Sequence, residues 1–144
     1  MDKKLRFQLQ NEIREIAPLL DRIEAELAAG GADEMVTFRM RLALDELLTN
    51  TVSYGFPDGG VHRIGVALDL GADSLVCELS DPGVPFDPFD APAAVTEGDV
   101  EDRPIGGLGV HMVRQLIPEL SYRYADGRNI VRLGSPLRLE PASL

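Results

Sequence analysis

Residues 64–81 read IGVALDLGADSLVCELSD. Ile64 to Leu70 and Ser74 to Ser80 have the composition of two strands, and Gly71-Ala72-Asp73 between them suits a hairpin turn. Upstream, Leu5, Phe7 and Leu9 alternate with Arg6 and Gln8, which predicts a short half-buried strand over Lys4–Leu9. Two helical segments follow before the hairpin. The first runs from Asn11 to Ala29, with an apolar stripe at Leu19, Leu20, Ile23 and Leu27, and stops at Gly30-Gly31. Pro18 within it predicts a kink or break near Ala17. The second starts from Asp33 as N-cap, runs to about Tyr54 and stops at Gly55. Its wide apolar face (Val36, Met40, Ala43, Leu44, Leu47, Leu48 and Val52) marks it as largely buried.

Downstream, Asp81 to Ile105 is long, acidic and broken by Pro82, Pro85, Pro88, Pro92 and Pro104, the signature of a lid or binding loop. Gly106-Gly107-Leu108-Gly109 opens a third helix ending near Leu116. Leu120–Tyr124 and Asn129–Leu133 then flank Asp126-Gly127 as a last strand pair. The order is strand, helix, helix, strand, strand, loop, helix, strand, strand, which argues against a doubly wound parallel sheet. It fits an α+β two-layer sandwich in which a mixed, mostly antiparallel sheet carries three helices on one face. The expected boundaries are one domain over residues 1–134 and a loose tail over 135–144.

The whole chain of 144 residues is one domain's worth, and its formal net charge is -10. That balance argues against nonspecific nucleic-acid binding and against docking on an anionic membrane. A single cysteine, Cys77, excludes a disulfide scaffold within the chain, and His62 and His111 are too few for a histidine-rich metal centre. The start has no apolar run of signal-peptide length, so the expected compartment is the cytoplasm. The only lysines are Lys3 and Lys4, and no Gly-Lys-Ser/Thr triplet exists, so nucleotide binding by a Walker-type loop is excluded. Cys77 reads as core, His62 as water-facing, His111 as packing or solvated rather than touching a phosphate, and Arg39 and Arg41 as helix surface rather than partner contacts.

Three places carry chemistry. Glu46 and Asn50 are four apart on the second helix, roughly 40° from one another on one face. The Asn carbonyl suits a hard cation such as Mg²⁺, and the Glu carboxylate could orient or deprotonate a hydroxyl or a water. Taken alone, the pair also fits exposed helix surface. Asp81, at a strand end, can accept from an exocyclic amine, and Gly83 lets a flat ring approach the backbone; a proline-rich turn with an exposed acid is the alternative. The glycines at 106, 107 and 109 let N–H groups turn toward an anion at a helix start, or they form a hinge.

In combination, these residues resemble the histidine-kinase-like ATPase superfamily, with its Glu-x-x-x-Asn, Asp-x-Gly-x-Pro and Gly-x-Gly motifs and its Bergerat fold. The stretches ELLTNTVSYGF, DPGVPFDP and GGLGVHMVRQL are most similar to the stand-alone anti-sigma-factor serine/threonine protein kinases. The resemblance extends from the first strand to Leu133. It implies that Asn50 ligates Mg²⁺ bridging the ATP phosphates and that Glu46 is the general base. Asp81 would hold the adenine amine with room made by Gly83, and Gly107, Leu108 and Gly109 would line the phosphates.

Arg103 is the only cation between Pro82 and Leu108. It is the candidate to stabilise the transferring phosphoryl, or it pairs on the surface with Asp102 or Glu101. Two departures from the family stand out: Ile105 precedes the glycine cluster where relatives often have arginine, and Tyr54 replaces a frequent histidine. The resemblance further implies a homodimer that phosphorylates an anti-sigma-factor antagonist of the STAS-domain type and sequesters a sigma factor. A nucleotide-regulated binding module without phosphotransfer is the alternative.

Overall fold

The computed structural model describes residues 2–90 and 107–139 of the chain. The alternation at the start becomes strand β1 (Lys3–Gln10), with Phe7 and Leu9 turned into the core and Arg6 and Gln8 left exposed. A 3-10 turn at Ile13–Glu15 then leads into helix α1 (Ile16–Ala29). The kink or break expected near Ala17 is the junction of this turn with α1, just before Ile16. Pro18 is the third residue of α1, where no backbone N–H has an intrahelical partner, so it costs no bond.

Helix α2 (Glu34–Tyr54) stops at Gly55, and Met40, Leu44 and Leu48 on its inner face are wholly buried. Full burial of one such side chain contributes about 1.5–3 kcal/mol. Asp33 is the N-cap residue, but its carboxylate does not cap the helix. Instead its Oδ2 accepts from the Leu139 backbone N–H at 2.8 Å, and its own N–H donates to the Leu137 carbonyl at 2.9 Å.

The sheet is completed by β2 (Arg63–Leu70), β3 (Ser74–Asp81), β4 (Glu119–Ala125) and β5 (Arg128–Pro136), with α3 (Gly107–Leu116) between β3 and β4. Its order is β1-β2-β3-β5-β4, and every pairing among the described residues is antiparallel, so the expected mixed character is absent. The β4–β5 turn has Asp126 at φ 54° and Gly127 at φ 75°. Two positive φ values define the primed turn whose twist matches a two-residue hairpin.

Burial alternates along β2 and β3, with Ile64, Val66, Leu68, Leu70, Leu75, Cys77 and Leu79 on the covered face. These residues share one core with α1, α2 and α3, which gives the two layers expected. The last strand runs two residues past the expected boundary at 134. Leu137 is then wholly buried, and its N–H donates to the Asp73 carbonyl at 2.9 Å. Residues 135–139 are therefore part of the packed body and not a loose tail. Residues 140–144 lie outside the described residues.

Candidate functional site

The end of α2, the end of β3, the start of β5 and the segment after β3 meet at one cleft. It has Leu47, Leu79, Val84, Phe86 and Val131 among its walls and Asn50, Asp81 and Asn129 as polar groups. Such a mainly apolar recess with few convergent polar atoms is the usual form of a small-molecule site.

Helical spacing sets the α2 contribution. Asn50 and Glu46 are one turn apart, and the Asn50 Nδ2 donates to Glu46 Oε2 at 3.0 Å. That bond uses one N–H of the amide and leaves Oδ1 without a partner among the described residues. Both side chains are partly buried, so the pair is not plain helix surface. The helix stop then shapes the cleft rim. Gly55 N–H closes on the Thr51 carbonyl at 2.8 Å, and the Gly55 carbonyl accepts from Val84 N–H at 3.0 Å. A Cβ on Gly83 would lie 2.5 Å from that same Gly55 carbonyl, so only glycine permits this approach.

Asp81 is 8% exposed, and its Oδ1 accepts from Gly83 N–H at 2.8 Å. A proline-rich turn with an exposed acid is therefore not what the chain builds here. Gly109, in the first turn of α3, packs directly on the Glu46 carboxylate; a Cβ there would overlap it. The glycine-opened helix thus reaches the α2 pair. Helix N-termini favour anions, whether this carboxylate or a phosphate.

The structure brings Glu46, Asn50, Asp81, Gly83 and Gly109 to one place. Gly107 opens α3, and Leu108 follows it in the same turn. Arg103 and Ile105 lie outside the described residues. Tyr54 lines the cleft and is 55% exposed, at the rim. His111 is exposed on α3, within reach of Gln115. His62 does not simply face water: its ring stacks on Phe56 at 4.5 Å between centroids, and its Nε2 contacts Asp58 at 3.0 Å. Arg41 is helix surface as expected, bonded to Asp21 and Glu24 of α1.

Two site residues were not legible beforehand. Asn129 is buried, and its amide meets Asp81, Gly83 and Val84 on one side and Phe86 and Tyr122 on the other. Burial, followed by weaker effects that include the charges of Asp87 and Asp81, pushes the Tyr122 phenol above its ordinary value, so it stays a donor at neutral pH. The only sequence signal was an Asn just after the Asp-Gly turn. Its placement opposite Asp81 is a matter of β3–β5 register.

The family model for the histidine kinase-like ATPase domain matches residues 9–134. The serine/threonine-protein kinase BtrW of Bordetella bronchiseptica is 31% identical over 98 residues, covering 68% of this chain and 69% of that protein. The serine-protein kinase RsbW of Listeria innocua is 30% identical over 97 residues, covering 64% of this chain, which spans only 61% of that relative's length.

Among solved structures, the RsbU and RsbW domains of a Mycobacterium tuberculosis protein match with a TM-score of 0.60 at 19% identity, over 96% of this chain and 34% of that one. The catalytic domain of the histidine kinase ThkA matches with a TM-score of 0.56 at 16% identity, over 95% and 99%. At these identities the two structures speak to the fold alone. The chain belongs to the histidine kinase-like ATPase family and, within it, to the serine/threonine protein kinases of the anti-sigma-factor type.

Proposed function

We propose that this chain transfers the γ-phosphoryl group of ATP to a Ser or Thr of an anti-sigma-factor antagonist with a STAS domain, and that it sequesters a sigma factor until released. The observation that carries the reading is that Asn50 and Asp81 line one cleft, while Glu46, bonded to Asn50, packs against Gly109 in the first turn of α3. In this reading the apolar walls take the adenine, Asp81 accepts from its amine, and the space kept by Gly83 admits the ring edge. The N–H groups of Gly107, Leu108 and Gly109 receive the phosphates.

The donor chemistry fits Mg²⁺: with its Nδ2 bonded to Glu46, Asn50 keeps its amide oxygen, a hard ligand, without a partner among the described residues. Asn50 would hold the ion, which supplies charge neutralisation on the phosphates. Glu46 takes the proton of the attacking hydroxyl, and Arg103 stabilises charge on the transferring group. Phosphorylation adds about -2 of charge to the antagonist and weakens its hold.

The test is incubation with labelled ATP and candidate antagonists. Label on an antagonist Ser or Thr, reduced at least a hundredfold in Glu46→Gln, is the expected outcome for a lost general base. Tight ATP binding with no labelled protein would favour a nucleotide-regulated binding module instead. The proposal also has the protein working as a cytoplasmic homodimer, which sedimentation at working concentration checks. Among the described residues no helix is long and apolar enough to cross a membrane.

A further inference from the structure

Asp81 has two carboxylate oxygens, and the fold uses one. Oδ1 accepts from Gly83 N–H at 2.8 Å and from Asn129 Nδ2 at 3.1 Å. Oδ2 has no protein partner among the described residues, and Asp81 lines the cleft. Two donors therefore keep the carboxylate from turning, the Gly83 N–H and the side chain of Asn129, which is 6% exposed.

The orientation of the Asn129 amide is itself determined. The Phe86 N–H can only donate, and it reaches Asn129 Oδ1 at 3.0 Å; the Tyr122 hydroxyl donates to the same oxygen at 2.5 Å. On the other side stand acceptors only: the Asp81 carboxylate, the Gly83 carbonyl at 3.3 Å and the Val84 carbonyl at 2.9 Å from Nδ2. Rotating the amide by half a turn would set donor against donor and oxygen against three acceptors. One side chain thus ties the end of β3, the 83–86 wall of the cleft and β4 together.

We propose that Asn129 is a positioning residue for nucleotide-base selection. It presents one oxygen of Asp81 to the cleft and holds the Gly83–Phe86 wall at the base edge, while Tyr122 locks its amide. This rests on the reading of the cleft as an adenine site. An acceptor held at that edge pairs with a 6-amino group and opposes a 6-oxo group. An Asp81 held by the Gly83 N–H alone can pivot about that one bond, moving away from a 6-oxo group or admitting water, so the discrimination falls.

The test is equilibrium binding of ATP and of inosine triphosphate, its 6-oxo counterpart, to the full chain. Wild type, Tyr122→Phe and Asn129→Asp are compared, with melting curves beside them. The expected result is an ATP preference in wild type that drops at least about threefold in Tyr122→Phe and about tenfold in Asn129→Asp. A merely structural role would lower the melting temperature and both affinities while leaving their ratio unchanged, and that outcome overturns the inference. If Asn129→Asp does not fold, Tyr122→Phe decides alone, because it removes a single hydroxyl. A wild type binding neither nucleotide rejects the adenine reading and this inference with it. A wild type that prefers ATP, with the ratio kept in the folded variants, rejects the inference and leaves the adenine reading standing.

Discussion

Gly109 shows how much one missing methyl group decides. The residue sits in a helix, where Ala in place of Gly is ordinarily worth about 1 kcal/mol of added stability. Here the added Cβ would meet only the carboxylate end of the flexible Glu46 side chain, which can swing aside by giving up its bond to Asn50. The cost therefore falls on the site more than on the fold. Gly109→Ala is expected to melt close to wild type and to bind Mg-ATP about tenfold more weakly, because Glu46 is displaced from Asn50. Unchanged titration heats would contradict this contact. The glycine itself was legible in the sequence as part of a cluster opening a helix. What it touches was not, since residues 46 and 109 meet only once α2 and α3 pack. The Glu46–Asn50 bond, by contrast, follows from helical spacing within one element.

At the scale of elements, the strand periodicities and the α2 apolar face were readable because each depends on neighbours two, three or four residues away. The end of β5 was misjudged for the opposite reason. Ser135 to Leu139 is short and has no local pattern that demands order. Its order comes from distant partners: Asp73 and Asp33 bond its backbone, and the core takes Leu137. Removing residues 135–144 is expected to cost about 3 kcal/mol or more, from one buried leucine and several hydrogen bonds. Urea unfolding of the truncated chain measures this, and an unchanged midpoint would restore the picture of a loose tail. Asp33 has a related lesson. Its residue type and position predicted an N-cap, and it is the N-cap residue, yet its carboxylate serves the tail because the Leu139 N–H lies at 2.8 Å.

For the molecule as a whole, Cys77 reports on the integrity of the core. It is wholly buried, and burial pushes its thiol up to about 12 from an ordinary value of 9.0. The folded state thus holds the neutral form where the unfolded chain would ionise. Its contribution to stability is full below pH 9.0 and is lost progressively between there and about 12. Wild type should lose more stability than Cys77→Ala on going from neutral pH to about pH 11 in urea unfolding, and native protein at neutral pH should resist alkylation until unfolded. Rapid native labelling would mean that the sheet opens there.

The sequence by itself determined the class of fold, the three chemical motifs and the exclusion of a Walker-type loop, because each rests on residue type and short spacing. Only the tertiary structure decided that Asn129 faces Asp81, that Glu46 of α2 packs against α3 and that residues 135–139 belong to the packed body. These are contacts across 48, 63 and about 100 residues of sequence, and no local pattern encodes a partner that far away; strand register and helix packing create it.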